Sequence, residues 1–315
     1  MEPIVTLTMN PTVDVLMEVD QLVAEGKSRS DVRNVAAGGG GINVARGFRE
    51  LGGRAVAVHT SGGATGERLD RLLDGEQFEH VSVEIEGETR EALVLTERKK
   101  SRSFHVVPRG PRVDEASVDR IVQAVLDRIG THDFVVASGS LAPGCPDDFY
   151  GRLARAVDDA GGRLVLDTSG PALEAALEQG VYLVKPNKRE AAAMLGGEVD
   201  GFDDACAVNE QLLSRGAAQV VATTVGEYGA VVSADGRHIS VRTPPLPRPF
   251  QSDAGAGDSF LAGLTYGLCD GLDLAEAGRL AVTAASAACM TPGTEMFYRS
   301  DVEELRADTR TDEMT

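Results

Sequence analysis

Between residues 114 and 229 the chain alternates short apolar runs with helical apolar spacing, and that alternation restricts its fold more than any other feature. Helical spacing over 118–129 leads to a strand over 134–137, and spacing over 147–160 leads to one over 164–166. Likewise 171–177 leads to 182–184, a helix over 188–195 follows, and 203–215 leads to 219–223. Strands separated by helices are joined by right-handed crossovers into a parallel sheet. Each strand ends in polar, glycine-bearing residues: Ser138-Gly139-Ser140, Asp167-Thr168-Ser169-Gly170, Lys185-Pro186-Asn187, and Thr224 through Gly226 to Gly229. These ends lie side by side along the carboxyl edge of the sheet, where open α/β sheets bind ligands. A single cleft is expected there.

The segment Gln251-Ser252-Asp253-Ala254-Gly255-Ala256-Gly257-Asp258 runs into an apolar helical pattern at Phe260, Leu261, Leu264 and Leu268. Small residues let successive N–H groups point at one spot, and the helix behind them adds partial positive charge. Gly255, Ala256 and Gly257 therefore read as a seat for phosphoryl oxygens. A carboxylate would repel that anion, so Asp258 makes sense as a base that takes a proton from a hydroxyl. The alternative is an ordinary aspartate in a helix's first turn, and this motif alone leaves the two readings level.

A second glycine run, residues 38–41, precedes Ile42-Asn43-Val44-Ala45-Arg46. It removes every side chain from one turn, so a ligand can touch the backbone at Gly39, while Asn43 can donate to and accept from sugar hydroxyls. Asp14 follows the end of the first strand, residues 4–8, and reads as a ligand group or a turn aspartate. Asn187 and Glu190, three apart at a helix start, suit a hydrated Mg²⁺ or, equally, a capping box. Gly26-Lys27-Ser28 resembles the end of a Walker A loop, but position 21 is Gln and no helix follows, so that reading fails.

Residues 12–20, 28–36 and the hairpin 89–107 read as a small sheet apart from the core, with one polar and one apolar face. A second copy of the same sheet is the simplest cover for the apolar face, which predicts a homodimer through these lids. The α/β core then comprises residues 1–11, 37–88 and 108–305, with 306–315 as a disordered tail. A small-residue helix over 274–288 permits close packing on a flat ligand such as adenine, and Pro292-Gly293-Thr294 closes a further loop.

Composition excludes several classes. The formal net charge of −18 and the absence of Trp disfavour nucleic acid and anionic membranes as partners. Cys145, Cys206, Cys269 and Cys289 are scattered singly, as in a reducing cytoplasm, and form no zinc or disulfide pattern. No apolar run approaches membrane-spanning length.

Taken in order, Asn10-Pro11-Thr12-Val13-Asp14, residues 38–46, Gly139-Ser140-Leu141, Lys185-Pro186-Asn187 with Glu190, and Gly255-Ala256-Gly257-Asp258 resemble the ribokinase-like carbohydrate kinases of the PfkB family. Gly63-Ala64-Thr65-Gly66-Glu67 and Asp167-Thr168-Ser169-Gly170 resemble its phosphofructokinase branch, nearest the minor-type 6-phosphofructokinases. The resemblance implies a ribokinase-like α/β fold with a β-sheet lid, and ATP with Mg²⁺ as phosphoryl donor. The implied acceptor is fructose 6-phosphate, with fructose 1-phosphate and tagatose 6-phosphate as alternatives. It also implies that Asp258 is the base beside an anion hole of Gly255, Ala256 and Gly257, and that Asp14, Gly39 and Asn43 hold sugar hydroxyls. Lys27, Arg90 and Ser140 would bind the phosphate the sugar already carries. Lys185, Asn187, Glu190, Thr224, Gly226 and Gly229 would line the ATP side, with Glu190 meeting the metal through water. One departure is Asp253, where the family carries Ser or Thr. A nucleotide-binding oxidoreductase or a sugar-phosphate sensor is the rival from another class.

Overall fold

In the computed structural model, which describes residues 2–77, 79–100, 102–130, 133–291 and 296–314, seven parallel strands run from one edge of a ten-stranded sheet. They are β1 (Ile4–Thr8), β4 (Ala55–Ser61), β5 (His80–Glu84), β8 (Phe134–Ser138), β9 (Arg163–Asp167), β10 (Val181–Val184) and β11 (Ala218–Thr224). Three antiparallel strands extend it: β12 (Gly229–Ala234), β13 (Arg237–Arg242) and β14 (Arg310–Met314). The order is β14-β13-β12-β11-β10-β9-β8-β1-β4-β5. Chain order runs outward in both directions from the β1–β8 pair, so the switch point of this sheet lies between those two strands. That is where an open α/β sheet leaves a crevice.

Alternate residues of the buried strands face opposite layers, as a pleated strand requires. Val5, Leu7, Val135 and Ala137 pack under α3 (Glu115–Leu126), α4 (Phe149–Asp159), α5 (Pro171–Gln179), α6 (Lys188–Leu195) and α7 (Phe202–Ser214). Ile4, Phe134 and Val136 pack under α1 (Gly40–Glu50), α2 (Gly63–Gly75), α8 (Ala256–Cys269) and α9 (Leu274–Ala288). A last helix, α10 (Arg299–Arg306), leans on α9. Among the described residues no helix is long and apolar enough to cross a membrane.

The second sheet contains β2 (Thr12–Val19), β3 (Ser30–Gly38), β6 (Arg90–Glu97) and β7 (Arg102–Val106), in the order β3-β2-β6-β7. Its register puts Asp14, Ala92 and Arg90 on one face, and Val15, Leu93 and Val106 on the other. The α2 helix covers the near end of that apolar face, against Val13 and Val15.

One expectation needs correction. Residues 310–314 are not a disordered tail: they pair with β13 from His238↔Met314 to Arg242↔Arg310, and the Arg237–Glu313 ion pair closes the edge. The polar alternation Arg-Thr-Asp-Glu-Met hides a strand because only an edge position, half in water, suits it. After the last parallel strand, β12 and β13 form a hairpin in residues to which the sequence reading gave no element. Its turn is Asp235-Gly236, with both residues at positive φ. An Asp-Gly pair between alternating apolar residues is the sequence signal that would have revealed it. The loop expected at Pro292-Gly293-Thr294 lies outside the described residues.

Candidate active site

Helix α8 starts from Gly255 in the left-handed region (φ 80°), and the Ala256 N–H turns back to the Asp253 carbonyl at 3.1 Å. Ala256 is thus occupied in the turn. The first-turn amides of Gly257 and Asp258, which have no helical partner, can meet an anion, as can the Gly255 amide at the turn before them. Lys185 at the end of β10 is buried, and its Nζ lies 3.7 Å from where a Gly257 Cβ would stand. A salt bridge of 3.1 Å to Asp167 holds it. Burial works to lower the Lys185 pKa, but Asp167, Glu190 and Asp258 outweigh it, so the ammonium stays charged.

Asp258 and Asn43 meet because α1 and α8 pack closely. A Cβ on Gly47 would come 2.8 Å from the Ala262 Cβ, and Asn43 and Asp258 stand one turn earlier on their helices. Asn43 Nδ2 donates to Asp258 Oδ2 at 2.9 Å, and Ser138 Oγ donates to Oδ1 at 3.3 Å. Arg46 Nη1 donates to Asn43 Oδ1 at 3.1 Å, which turns the amide nitrogen toward Asp258. Burial first, and then the like charge of Asp167, push the Asp258 carboxyl up to about 6, against the pull of Asn43, Lys185 and Ser138. Each oxygen keeps a lone pair for a proton.

The 38–41 glycines are required by what touches them. A Cβ on Gly38 would collide with the Asp14 carboxylate, one on Gly40 with Ser138, and one on Gly41 with the Leu7 carbonyl. Gly39 (φ 126°) opens α1 against Thr8. This bare turn therefore runs from Asp14 to the Ser138 that holds Asp258. Burial pushes Asp14 up to about 6 as well, against a Thr12 hydrogen bond and the charges of Arg46, Arg90 and His105.

Arg90, at the start of β6, is held in place. Its guanidinium is clamped by the carbonyls of Asn10 (2.6 Å), Pro108 (3.0 Å) and Pro11 (3.4 Å). It lines a cavity of about 730 Å³ together with Arg109 and Arg112. Ser140 is exposed at the end of β8, beside Leu141, whose carbonyl faces Asn10 Nδ2. Lys27 is not brought to Arg90 within one chain: Arg90 pairs with Thr12, whereas Lys27 lies beyond Val19 in the exposed β2–β3 tip. From Thr12 to Val19, β2 alone spans seven residue steps, roughly 23 Å.

On the other side, Asn187 and Glu190 form a complete capping box. Asn187 Oδ1 accepts from the amides of Arg189 and Glu190, and Glu190 Oε2 accepts from the Asn187 N–H at 2.9 Å. Burial raises the Glu190 pKa, while the Asn187 N–H pulls it back. Asn187 bridges to Thr224, and Thr224, Gly226 and Gly229 line a cavity of about 400 Å³. Gly257 lines that cavity too, with Phe260 of α8 and Val282, Ala285 and Ser286 of α9. Asp253 is exposed on its rim. Sequence reasoning assigned no role to Ser138, Asp167 or Arg46. The first two stood at strand ends, a signal that was present, but only the packing of α1 on α8 shows what Arg46 orients.

A carboxylate base, a helix-turn anion seat with a buried lysine above it, and an apolar cavity alongside are the parts of a phosphoryl-transfer site. The model of the pfkB family carbohydrate kinases matches residues 7–299. This chain belongs to that family. Among its relatives, the ATP-dependent 6-phosphofructokinase isozyme 2 of Mycobacterium tuberculosis (strain CDC 1551 / Oshkosh) is 36% identical over 302 residues, covering 96% of this chain and 88% of the relative. The 1-phosphofructokinase of Bacillus subtilis (strain 168) is 30% identical over 306 residues, covering 96% and 98%. Phosphofructokinase-2 from Escherichia coli in complex with fructose-6-phosphate superimposes with a TM-score of 0.90 at 35% identity, over 98% of this chain and 99% of that one. As a pfkB kinase, the chain is an ATP-dependent sugar kinase with a ribokinase-like fold.

Proposed function

We propose that this kinase transfers the γ-phosphoryl group of ATP to the 1-hydroxyl of fructose 6-phosphate, giving fructose 1,6-bisphosphate and ADP. The observation that carries the reading is Asp258, held by Asn43 and Ser138 at the first turn of α8 with the Lys185 ammonium above the same turn. Asp258 takes the hydroxyl proton as the sugar oxygen bonds to the γ-phosphorus and the bond to the β–γ bridging oxygen breaks. The Gly257 and Asp258 amides and Lys185 face the charge that spreads over the phosphoryl oxygens. Asp14, Gly39 and Asn43 orient the sugar, and the cavity over Thr224, Gly226 and Gly229 takes the nucleotide. Arg90 and Ser140 serve the sugar's existing phosphate, Arg90 partly by holding the strand ends around it. The donor set fits magnesium, because Glu190 commits only one carboxylate oxygen to its cap. Glu190 would hold the ion through water, and the ion would neutralise charge on the leaving phosphates.

A coupled ADP-release assay across fructose 6-phosphate, fructose 1-phosphate and tagatose 6-phosphate tests the acceptor. The highest kcat/KM is expected on fructose 6-phosphate; a higher value on fructose 1-phosphate would overturn the assignment.

The same reading includes a homodimer. Val32, Leu93 and Val106 are exposed on the apolar face of the small sheet beyond the part α2 covers. A second lid would bury them. An ATP-dependent enzyme with four unpaired cysteines suits the cytoplasm.

A further inference from the structure

At the β5 edge of the central sheet, on the α2 side, three side chains converge that phosphoryl transfer does not use. His59 is on β4 and completely buried, His80 opens β5, and Asp70 is on α2. His59 Nε2 lies 3.0 Å from His80 Nδ1 and 3.7 Å from Asp70 Oδ1, and all three atoms fall within 4.8 Å of one another. The far side of each group is already engaged. His59 Nδ1 faces the Thr60 carbonyl at 3.1 Å, His80 Nε2 faces Asp74 Oδ1 at 3.2 Å, and Asp70 Oδ2 accepts from Ser61 Oγ at 3.0 Å.

Those outer partners decide where the protons sit. A carbonyl and a carboxylate only accept, so they place N–H groups on His59 Nδ1 and His80 Nε2. The lone pairs of His59 Nε2 and His80 Nδ1 then both lie on the inner side of the cluster, with Asp70 Oδ1, another pure acceptor, beside them. Asp70 Oδ1 is buried and has no hydrogen-bond partner. Three lone-pair donors turned inward are satisfied by a proton, with His80 Nδ1 donating to His59 Nε2, or by a metal ion drawn between them. A tetrahedral ion with arms of about 2.0–2.1 Å separates its donor atoms by roughly 3.3 Å. That separation lies between the two spacings found here.

We propose that His59, Asp70 and His80 bind one divalent transition-metal ion of the zinc class, with solvent as fourth ligand. Two imidazoles and a carboxylate select such an ion over magnesium. The Thr60, Asp74 and Ser61 contacts are the outer-shell bonds that orient ligands in metal sites. Solvent reaches the site through His80 (12% exposed) and Asp70 (27%). The ion would tie α2 to β4 and β5. Because α2 also holds the lid through the Arg68–Glu91 ion pair and the Glu88 bonds to the Ala64 and Thr65 amides, the site is a structural brace beneath the lid.

The test uses the full chain, stripped with EDTA, desalted and kept free of nucleotide, titrated calorimetrically with zinc chloride. One equivalent should bind, with proton release and a raised Tm. Asp70→Asn and His80→Gln should each weaken binding at least tenfold, while His238→Gln leaves it unchanged. Cobalt(II) titrated into the unmutated chain should give the visible absorption of a four-coordinate nitrogen–oxygen site, a readout that does not depend on any variant folding. Absence of one-to-one zinc uptake and of that absorption, or uptake that persists in both ligand variants, overturns the proposal and leaves a shared proton as the cation.

Discussion

Asp258 works as a base only when ionised, and the fold makes ionisation costly. A carboxyl moved from 3.8 to about 6 gives up about 3 kcal/mol of native-state stability at neutral pH. Because the folded group holds its proton more tightly than the unfolded one, its contribution to stability is full below about 3.8 and is lost as pH rises through about 6. Asp258→Asn should therefore be more stable than the parent at pH 7.5, by ~1–3 kcal/mol, while turnover falls at least a thousandfold and sugar binding survives. Calorimetry and single-turnover kinetics read the two effects separately, and a destabilised variant would contradict the electrostatic account. Asp14 is raised to the same value by the same burial. If both carboxylates must be ionised, log kcat/KM falls below pH 6 with a slope approaching two per pH unit. In Asp14→Asn the slope should relax toward one, and a profile unchanged by that substitution would remove Asp14 from the titration.

At the scale of elements, the site depends on how closely backbones approach. The glycines at 38–41 let the lid's edge strand β3 and helix α1 sit directly on Asp14, Ser138 and β1, and Gly47 lets α1 reach α8. Glycine and aspartate spacing was readable in the sequence because both residue types have backbone and charge consequences wherever they stand. The partners were not, since Asn43 and Asp258 lie 215 residues apart and only the packing of α1 on α8 joins them. Arg90 shows the same limit: a strand position predicts an exposed guanidinium, yet its register opposite Thr12 aims it at the carbonyls of Asn10, Pro11 and Pro108. Arg90→Ala should then raise the KM for the sugar phosphate more than tenfold and also lower stability by about 1–3 kcal/mol, from the carbonyls left without a donor. Arg90→Lys should recover little of either, because one ammonium cannot replace a fork. An unchanged KM in the alanine variant would set Arg90 aside from substrate binding.

Over the whole molecule, 49 acidic side chains face 31 basic ones, five of them lysines, and this surface repels itself at low ionic strength. The Tm is expected to climb as KCl goes from low to molar concentration; indifference to salt would show that the surface ion pairs already balance the charge. The sequence alone determined the parallel core, the second sheet and the glycine-built turns, and it put Asp258 forward as a candidate base. Periodicity, turn residues and carboxylates act through neighbours a few residues away, so they leave a local trace. Tertiary structure alone decided that residues 310–314 complete the sheet, that Lys27 stands far from Arg90, and that Ser138, Asp167 and Arg46 serve the site. Those are contacts between segments distant along the chain, set by strand register and helix packing, and no local pattern of residues carries them.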